Sequence, residues 1–176
     1  MIPLALALSC SSASPAPTGS PSLPSGWSLR DAAGLRIAVP AAWVGPEVSE
    51  QPAIAWITFR DASGAEALTL MTWRGTTARE LATKQYTGEA PKGDAPHDVQ
   101  LSDAGMTRTA IALTGFASWH DSSNSGSYEC RHLFIDLERD LVVDVIACGA
   151  HVRGTSTPTP EARRVQEQVA VRVRPT

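Results

Sequence analysis

The stretch YECRHLFIDLERDLVVDVIACG, Tyr128–Gly149, decides the fold of this chain because it reads as two strands around a turn at residues 138–140. When Leu133 lies opposite Val145, one face of the paired strands is wholly aliphatic. The side chains on that face are Leu133, Ile135, Leu137, Leu141, Val143 and Val145. The stretch therefore predicts an antiparallel hairpin with one face in the core.

The same register places Cys130 opposite Cys148. The Cα atoms of directly opposed residues lie roughly 4.5–5.5 Å apart, within the distance that a disulfide bond requires. A shift of one residue would turn the aliphatic side chains to the wrong face and separate the cysteines. We therefore predict a disulfide bond between them. The alternative is a redox-active or metal-binding pair. The sequence does not favour it, because the two cysteines lack Cys-x-x-Cys spacing and no second pair of ligands lies nearby.

Three ionisable side chains, His132, Asp136 and Asp144, share the other face of this hairpin. Histidine beside carboxylates can hold a metal ion or transfer a proton, because its pKa lies near neutrality. The alternative is an ion pair that is solvated or covered by a helix. We favour the ion pair and expect no metal ion or cofactor.

A second hairpin is predicted from Ala53–Arg60 and Glu66–Arg74, with turn residues at Asp61–Gly64. If these strands pair symmetrically about the turn, three large apolar side chains share one face: Trp56, Met71 and Trp73. They form either the floor of an apolar groove between sheet and helix or core packed under a helix. We favour the core interpretation.

Further strands are expected to extend the same sheet at Gly34–Val39, Val99–Leu101 and Met106–Ala117. Pro40 ends the first of these because proline has no N–H to donate to a neighbouring strand. The predicted fold class is therefore α+β, with a mostly antiparallel sheet flanked by helices.

Two helices are predicted from their capping residues. Thr77 and Glu80 form a capping box, and Gly88 ends the helix that follows. Near the C-terminus, Thr159 is suited to cap a helix whose first residue is Pro160. That helix is expected to end between residues 169 and 172.

The run GLRIAVPAAW, from Gly34 to Trp43, resembles the opening of PsbP-like domains. Such domains occur in the photosystem II extrinsic protein PsbP and in LpqN-type actinobacterial lipoproteins. The resemblance implies an antiparallel sheet flanked by helices in an α/β/α sandwich, in the order of elements expected here. Members of this family share no catalytic residues and bind different partners, so the resemblance implies no particular activity.

The N-terminal stretch IPLALALSC, residues 2–10, is apolar and ends in a small residue and a cysteine. We interpret residues 1–10 as a signal and lipobox segment ending at a lipidated Cys10. No Lys or Arg precedes the apolar core, which is consistent with a truncated signal. The alternative is a frayed tail with an incidental cysteine. A transmembrane anchor needs about 20 apolar residues and is not expected.

Residues 11–26 are rich in Ser and Pro, carry no charge and contain a single large aliphatic residue before Trp27. Such a segment cannot bury enough apolar surface to order itself, so it is predicted to be a disordered linker. Residues 27–176 are predicted to form one PsbP-like domain. The expected location is extracytoplasmic, with the chain secreted and held at the bacterial cell membrane by a lipid such as palmitate on Cys10.

Composition and motifs give no support for nucleic-acid binding or for a known class of catalytic site. The net charge is −3 without charge blocks, so no basic stripe supports nucleic-acid binding. The sequence contains no Gly-x-Ser-x-Gly, Ser-x-x-Lys, His-Glu-x-x-His or phosphate-binding glycine loop, and we assign no catalytic residue. Trp119–Ser123 contains the residue types of a hydrolase triad, but consecutive residues do not converge in space, so Asp121–Ser127 is interpreted as a polar loop.

Three functional hypotheses follow. The first is a non-enzymatic binding or scaffolding domain that engages an envelope protein or the wall. The second is a carrier of a small molecule or lipid that uses the groove at Trp56, Met71 and Trp73. The third, and the weakest, is a hydrolase centred on His120 or His132.

Overall fold

The computed structural model describes residues 23–64, 67–88, 93–103, 105–120, 125–138, 140–150 and 152–176, with only the backbone at 88, 119 and 120. Within these residues the elements follow one another as β1 (Trp27–Ala32), β2 (Leu35–Pro40), β3 (Val44–Gln51), β4 (Ile54–Arg60), β5 (Ala67–Arg74), α1 (Ala78–Gly88), β6 (His97–Asp103), β7 (Met106–His120), β8 (Ser125–Glu138), β9 (Leu141–Cys148), β10 (Gly154–Ser156), α2 (Pro160–Arg172) and β11 (Arg174–Pro175).

The larger sheet has the strand order β3-β4-β5-β9-β8-β7-β6, and each neighbouring pair is antiparallel. The short strand β10 pairs in parallel with β8. The predicted α+β class with a mostly antiparallel sheet is therefore confirmed.

The central hairpin, β8 and β9, has the register predicted from the sequence. Leu133 lies opposite Val145 and Cys130 opposite Cys148. A disulfide bond joins the two cysteines, whose Cα atoms are 4.1 Å apart. The pairing differs only beside the turn, where the register shifts and Glu138 lies opposite Leu141. A β-bulge of this kind is common where a hairpin closes.

The aliphatic face of this hairpin lies in the main core and is called the α2 face, because α2 packs on it. Leu133, Ile135, Leu141, Val143 and Val145 are all buried in that core, and Leu137 packs against it. From α2, the core receives Val165 and Val169. The opposite face of the sheet, called the α1 face, is covered in part by α1.

One prediction about the sheet is wrong. The strand Leu35–Pro40 does not extend the larger sheet but lies in a separate sheet of order β1-β2-β11. A tight turn at Ala33 and Gly34, both with positive φ, pairs it with β1. Its buried side chains Leu35, Ile37 and Val39 pack with α2 and the larger sheet in one core. The alternation of β2 indicates a strand, but it carries no information on which strand is its neighbour.

Trp43 follows the end of β2 and is 9% exposed within the main core. Its backbone N–H donates to the carbonyl oxygen of Pro40 at 3.0 Å, so the chain turns back after the proline. Trp43 is therefore part of the main core.

Both helices begin at the predicted capping residues. At α1, the N–H of Thr77 donates to Glu80 Oε2 and the N–H of Glu80 donates to Thr77 Oγ1. At α2, Thr159 Oγ1 accepts from the N–H of Ala162 at 3.1 Å. The second helix ends at Arg172, inside the predicted interval.

The expectations for Cys10 and for most of the linker lie outside the described residues, which begin at Leu23. In the part that is described, neither helix is long and apolar enough to span a membrane. The predicted polar loop at Asp121–Ser127 is partly wrong, because residues 125–127 belong to β8. Residues 121–124 and the side chains of Trp119 and His120 lie outside the description.

Candidate functional site

The α1 face of the larger sheet is only partly covered by a helix. Helix α1 packs over β7, β8 and β9 and buries one apolar cluster there, formed by Ala78, Leu81, Ala82, Ile111, Leu113, Phe134 and Val142. Strands β4 and β5 continue the same face beyond this cluster. The candidate site is the part of the α1 face formed by β4 and β5, next to the area that α1 covers.

The four large side chains on this part of β4 and β5 are called the apolar shelf: Ile54, Trp56, Met71 and Trp73. Trp56 lies opposite Met71, and Ile54 lies opposite Trp73. All four are half-buried rather than buried. The prediction that Trp56, Met71 and Trp73 share a face is therefore confirmed, and Ile54 is added to it.

The two interpretations of the shelf apply to different residues. Trp73 packs against the cluster under α1, as the core interpretation expects. Trp56 and Met71 belong to neither buried core cluster among the described residues. A sheet face that keeps large apolar side chains partly accessible is a usual feature of binding surfaces.

Beside the shelf lies a buried pair of ionisable side chains. His132 Nδ1 is 2.8 Å from Asp144 Oδ2, and the Asp144 side chain is completely buried. Asp144 is opposite Met71 of the shelf in the register of β5 and β9. The His132 ring stacks on Phe134, with 5.7 Å between ring centroids. The ion pair favoured from the sequence is therefore the observed arrangement.

Burial alone would lower the pKa of His132, because a low-dielectric surrounding disfavours the charged imidazolium. The charge of Asp144 and its hydrogen bond act in the opposite direction and prevail, so the pKa of His132 is raised above its ordinary value. The Asp144 carboxylate therefore favours the protonated imidazolium and fixes the orientation of the ring.

Asp136 has a different role from the one considered in the sequence. Its Oδ1 accepts a hydrogen bond of 2.8 Å from the N–H of Ala78, at the start of α1. A carboxylate at this position satisfies a free backbone donor and interacts favourably with the helix dipole. Among the described residues, no group of three His, Cys, Asp or Glu side chains is placed to hold a metal ion.

Two buried polar atoms in this region have no hydrogen-bond partner: Asp144 Oδ1, an acceptor, and Trp73 Nε1, a donor. Most buried polar groups in native proteins are paired, so such atoms mark a place where a further group could bind. No local pattern in the sequence indicates them.

The disulfide bond lies on the same face as His132. Cys130 precedes His132 by two residues along β8, and its partner Cys148 is partly exposed at the end of β9. The bond therefore fixes the two strands beside the ion pair. Among the described residues, the His132 ring bonds Asp144 and stacks on Phe134, and neither side chain is a hydroxyl or thiol nucleophile.

Comparisons with known proteins give little information on the chain. No protein-family model matches it, and a comparison with curated proteins finds no match. Among solved structures, it is similar to a crystal structure from Bacteroides thetaiotaomicron VPI-5482, with a TM-score of 0.47 and 10% sequence identity. The similarity covers 81% of this chain and 45% of the bacterial one, so the chain spans less than half of that protein's length.

Proposed function

We propose that this chain is an exported, lipid-anchored protein whose PsbP-like sandwich is a non-enzymatic binding module for another envelope protein. The observation that carries the proposal is the apolar shelf on the α1 face. Trp56 and Met71 lie side by side on neighbouring strands and are only half-buried. Aromatic and methionine side chains are enriched where proteins bind one another.

The layered arrangement supports the sandwich. Helix α2 and the small sheet cover one face of the larger sheet, and α1 packs on the other. The PsbP-like resemblance rests on Gly34–Trp43, where the chain turns at Pro40 and Trp43 is buried.

Export is supported by two features. The stretch at residues 2–10 has the apolar character of a signal that ends at a cysteine. The bond between Cys130 and Cys148 is of a type that persists in oxidising compartments and is rare in the cytosol. Metabolic labelling with palmitate tests the anchor: label should enter the wild-type chain and be lost in Cys10→Ala, and label retained in the variant would contradict anchoring there.

The binding role is tested by crosslinking the full chain to its partners in intact cells. The double variant Trp56→Ala/Met71→Ala should lose a crosslinked protein that the wild type captures, because it removes two large shelf side chains that belong to neither buried core cluster. Leu29→Ala is the matched control, since Leu29 is a large apolar side chain, 43% exposed, on the separate small sheet. The proposal fails if the crosslinked proteins are unchanged in the double variant.

The unpaired atoms Trp73 Nε1 and Asp144 Oδ1 favour a second candidate, a carrier of a small molecule or lipid. Such a ligand would place an apolar body on the shelf, and its polar group would reach these buried atoms once the side chains that cover them move aside. Native mass spectrometry of the chain purified from its membrane should then show a bound mass that is lost in Met71→Ala. A spectrum of the bare chain alone would remove this candidate.

A further inference from the structure

The two edge strands of the larger sheet, β3 and β6, differ in how well they resist pairing with another strand. An edge strand turns half of its N–H and C=O groups away from its only neighbour, which makes it a template for a further strand. In β3, Pro46 lacks an N–H, and the pairing with β4 shifts between Val44 and Glu47. Both features protect an edge.

Strand β6 has neither feature. Its seven residues, His97–Asp103, contain no proline and pair with β7 without a shift. Its two carboxylates are already neutralised within the chain, because Arg79 binds Asp98 and Arg172 binds Asp103. Within the described residues, β6 pairs with β7 alone, so its outer edge is regular and carries no unbalanced charge.

Helix α2 leaves a groove beside this edge. The helix crosses the α2 face diagonally, since Arg163 binds Glu129 on β8 and Arg172 binds Asp103 at the end of β6. Between helix and strand lies a cavity of about 580 Å³. Its lining combines apolar and polar side chains and includes Val99, Leu101, Val171, Arg131, Arg164 and Gln168.

We propose that β6 pairs with β6 of a second copy of this chain, antiparallel about a two-fold axis at Gln100. In this register Val99 lies opposite Leu101 of the second copy, so apolar side chains meet over the groove. Asp98 lies opposite a Ser102 hydroxyl, and His97 lies opposite Asp103. Opposed pairs of this kind stabilise antiparallel strands, and no like charges are opposed.

Neighbouring registers lack this complementarity. An axis at Val99 would oppose His97 to Leu101, and an axis at Leu101 would oppose Val99 to Asp103. The helices also suit the axis at Gln100. Helix α2 approaches β6 at the Asp103 end and lies over β8 at its other end, so the two-fold axis places the second helix at the opposite end of the paired strands.

Substitution of Gln100 tests the proposed dimer directly, because a residue on the two-fold axis lies opposite the same residue of the second copy. It is exposed, and its side chain bonds only Thr109 among the described contacts, so charged substitutions should leave the fold intact. The experiment is sedimentation velocity over a range of concentrations, on the full chain carrying Cys10→Ser to prevent disulfides between copies. Ser49→Glu and Ser49→Lys on the exposed edge strand β3 are the matched controls.

The wild-type strand should give a monomer–dimer equilibrium. Gln100→Glu and Gln100→Lys should each weaken the dimer by up to about fivefold, because like charges directly opposite one another destabilise paired strands. An equal mixture of the two variants should restore a dimer, since the opposed charges then attract. The Ser49 variants should dimerise as the wild type does.

A wild-type chain that stays monomeric at all concentrations would overturn the proposal. So would a dimer insensitive to both Gln100 variants, or a mixture that fails to restore it. Hydrogen exchange on the unsubstituted strand gives a measurement that needs no Gln100 variant: amides of β6 should become more protected as concentration rises, whereas those of β3 should not. Equal behaviour of the two edges would contradict the assigned interface.

Discussion

The α2 face and the α1 face of the larger sheet are built from alternate residues of the same strands, yet they differ in kind. On the α2 face, the central parts of β8 and β9 present the aliphatic side chains Leu133, Ile135, Val143 and Val145, which are buried in the core with α2 and the small sheet. On the α1 face, the same two strands present His132, Asp144 and the disulfide bond. The comparison indicates that the α2 face supplies most of the apolar core. The α1 face carries ionisable side chains and the disulfide bond beside a partly exposed apolar surface.

The α1 face buries a polar group, the Asp144 carboxylate, and this burial costs free energy. A fully buried carboxylate is tolerated only when a partner compensates for the lost hydration. Asp144 has such a partner in His132, although its Oδ1 is left without one. Leucine or valine at the same position would need no partner, so the pair makes the α1 face more sensitive to single substitutions.

The largest expected effect tests this sensitivity. His132→Ala should lower the free energy of unfolding by about 3–5 kcal/mol, because it leaves a buried carboxylate without its counter-charge. The double variant His132→Leu/Asp144→Leu should cost less than the single one, since no unpaired charge remains. Urea unfolding measures both, and a single variant as stable as the double would contradict the argument.

The disulfide bond is expected to contribute next. The two cysteines are 18 residues apart in the sequence. Closing a loop of that length should stabilise the chain by about 3 kcal/mol, mainly by restricting the unfolded state. Thermal unfolding of Cys130→Ala/Cys148→Ala against the oxidised wild type measures the difference. An unchanged midpoint would show that the bond does not constrain the unfolded chain.

Substitutions at two consecutive residues of β5 compare how much each face contributes to stability. Leu70 is completely buried on the α2 face, whereas Met71 is half-buried on the shelf. Leu70→Ala should cost about 2–5 kcal/mol, the range for deleting a buried aliphatic side chain. Met71→Ala should cost about 2 kcal/mol less, because part of its surface already contacts water. If chemical denaturation showed equal losses of unfolding free energy for the two variants, the shelf would be part of the core.

The smallest expected effect is the pH dependence of the His132 pair. Since the pKa of His132 is raised in the folded chain, its contribution to stability is complete below the ordinary histidine pKa of about 6.5. It is lost as pH rises through the raised value. The unfolding free energy of the wild type should fall over this interval, and His132→Gln should lack that part of the fall. A variant with the wild-type profile would assign the dependence to other groups.

The sequence predicted the central hairpin well because two local signals agreed. The aliphatic alternation and the spacing of Cys130 and Cys148 each select the same register, which the structure contains. The helix starts were predicted for a similar reason, since Thr77 and Thr159 satisfy backbone donors within one turn of themselves. Contacts of this range are determined by the neighbouring residues alone.

The candidate site was predicted only in part. The shared face of Trp56, Met71 and Trp73 follows from strand alternation, but their exposure depends on where α1 ends its cover. Asp136 was grouped with His132 on the basis of alternation, yet it caps α1, a helix far from it in the sequence. The strand β3 was missed because Pro46 and its charged neighbours do not have the pattern of a strand.

By itself, the sequence determined which residues pair within the central hairpin, where the helices begin and which side chains share a face, because these properties depend on residues close along the chain. Only the tertiary structure decided that β2 belongs to a second sheet, that the shelf is half-buried and that β6 is the last strand of the larger sheet among the described residues. Each of these depends on which distant element packs against a given surface. That choice is made by the burial of apolar area over the whole molecule, which no local pattern contains.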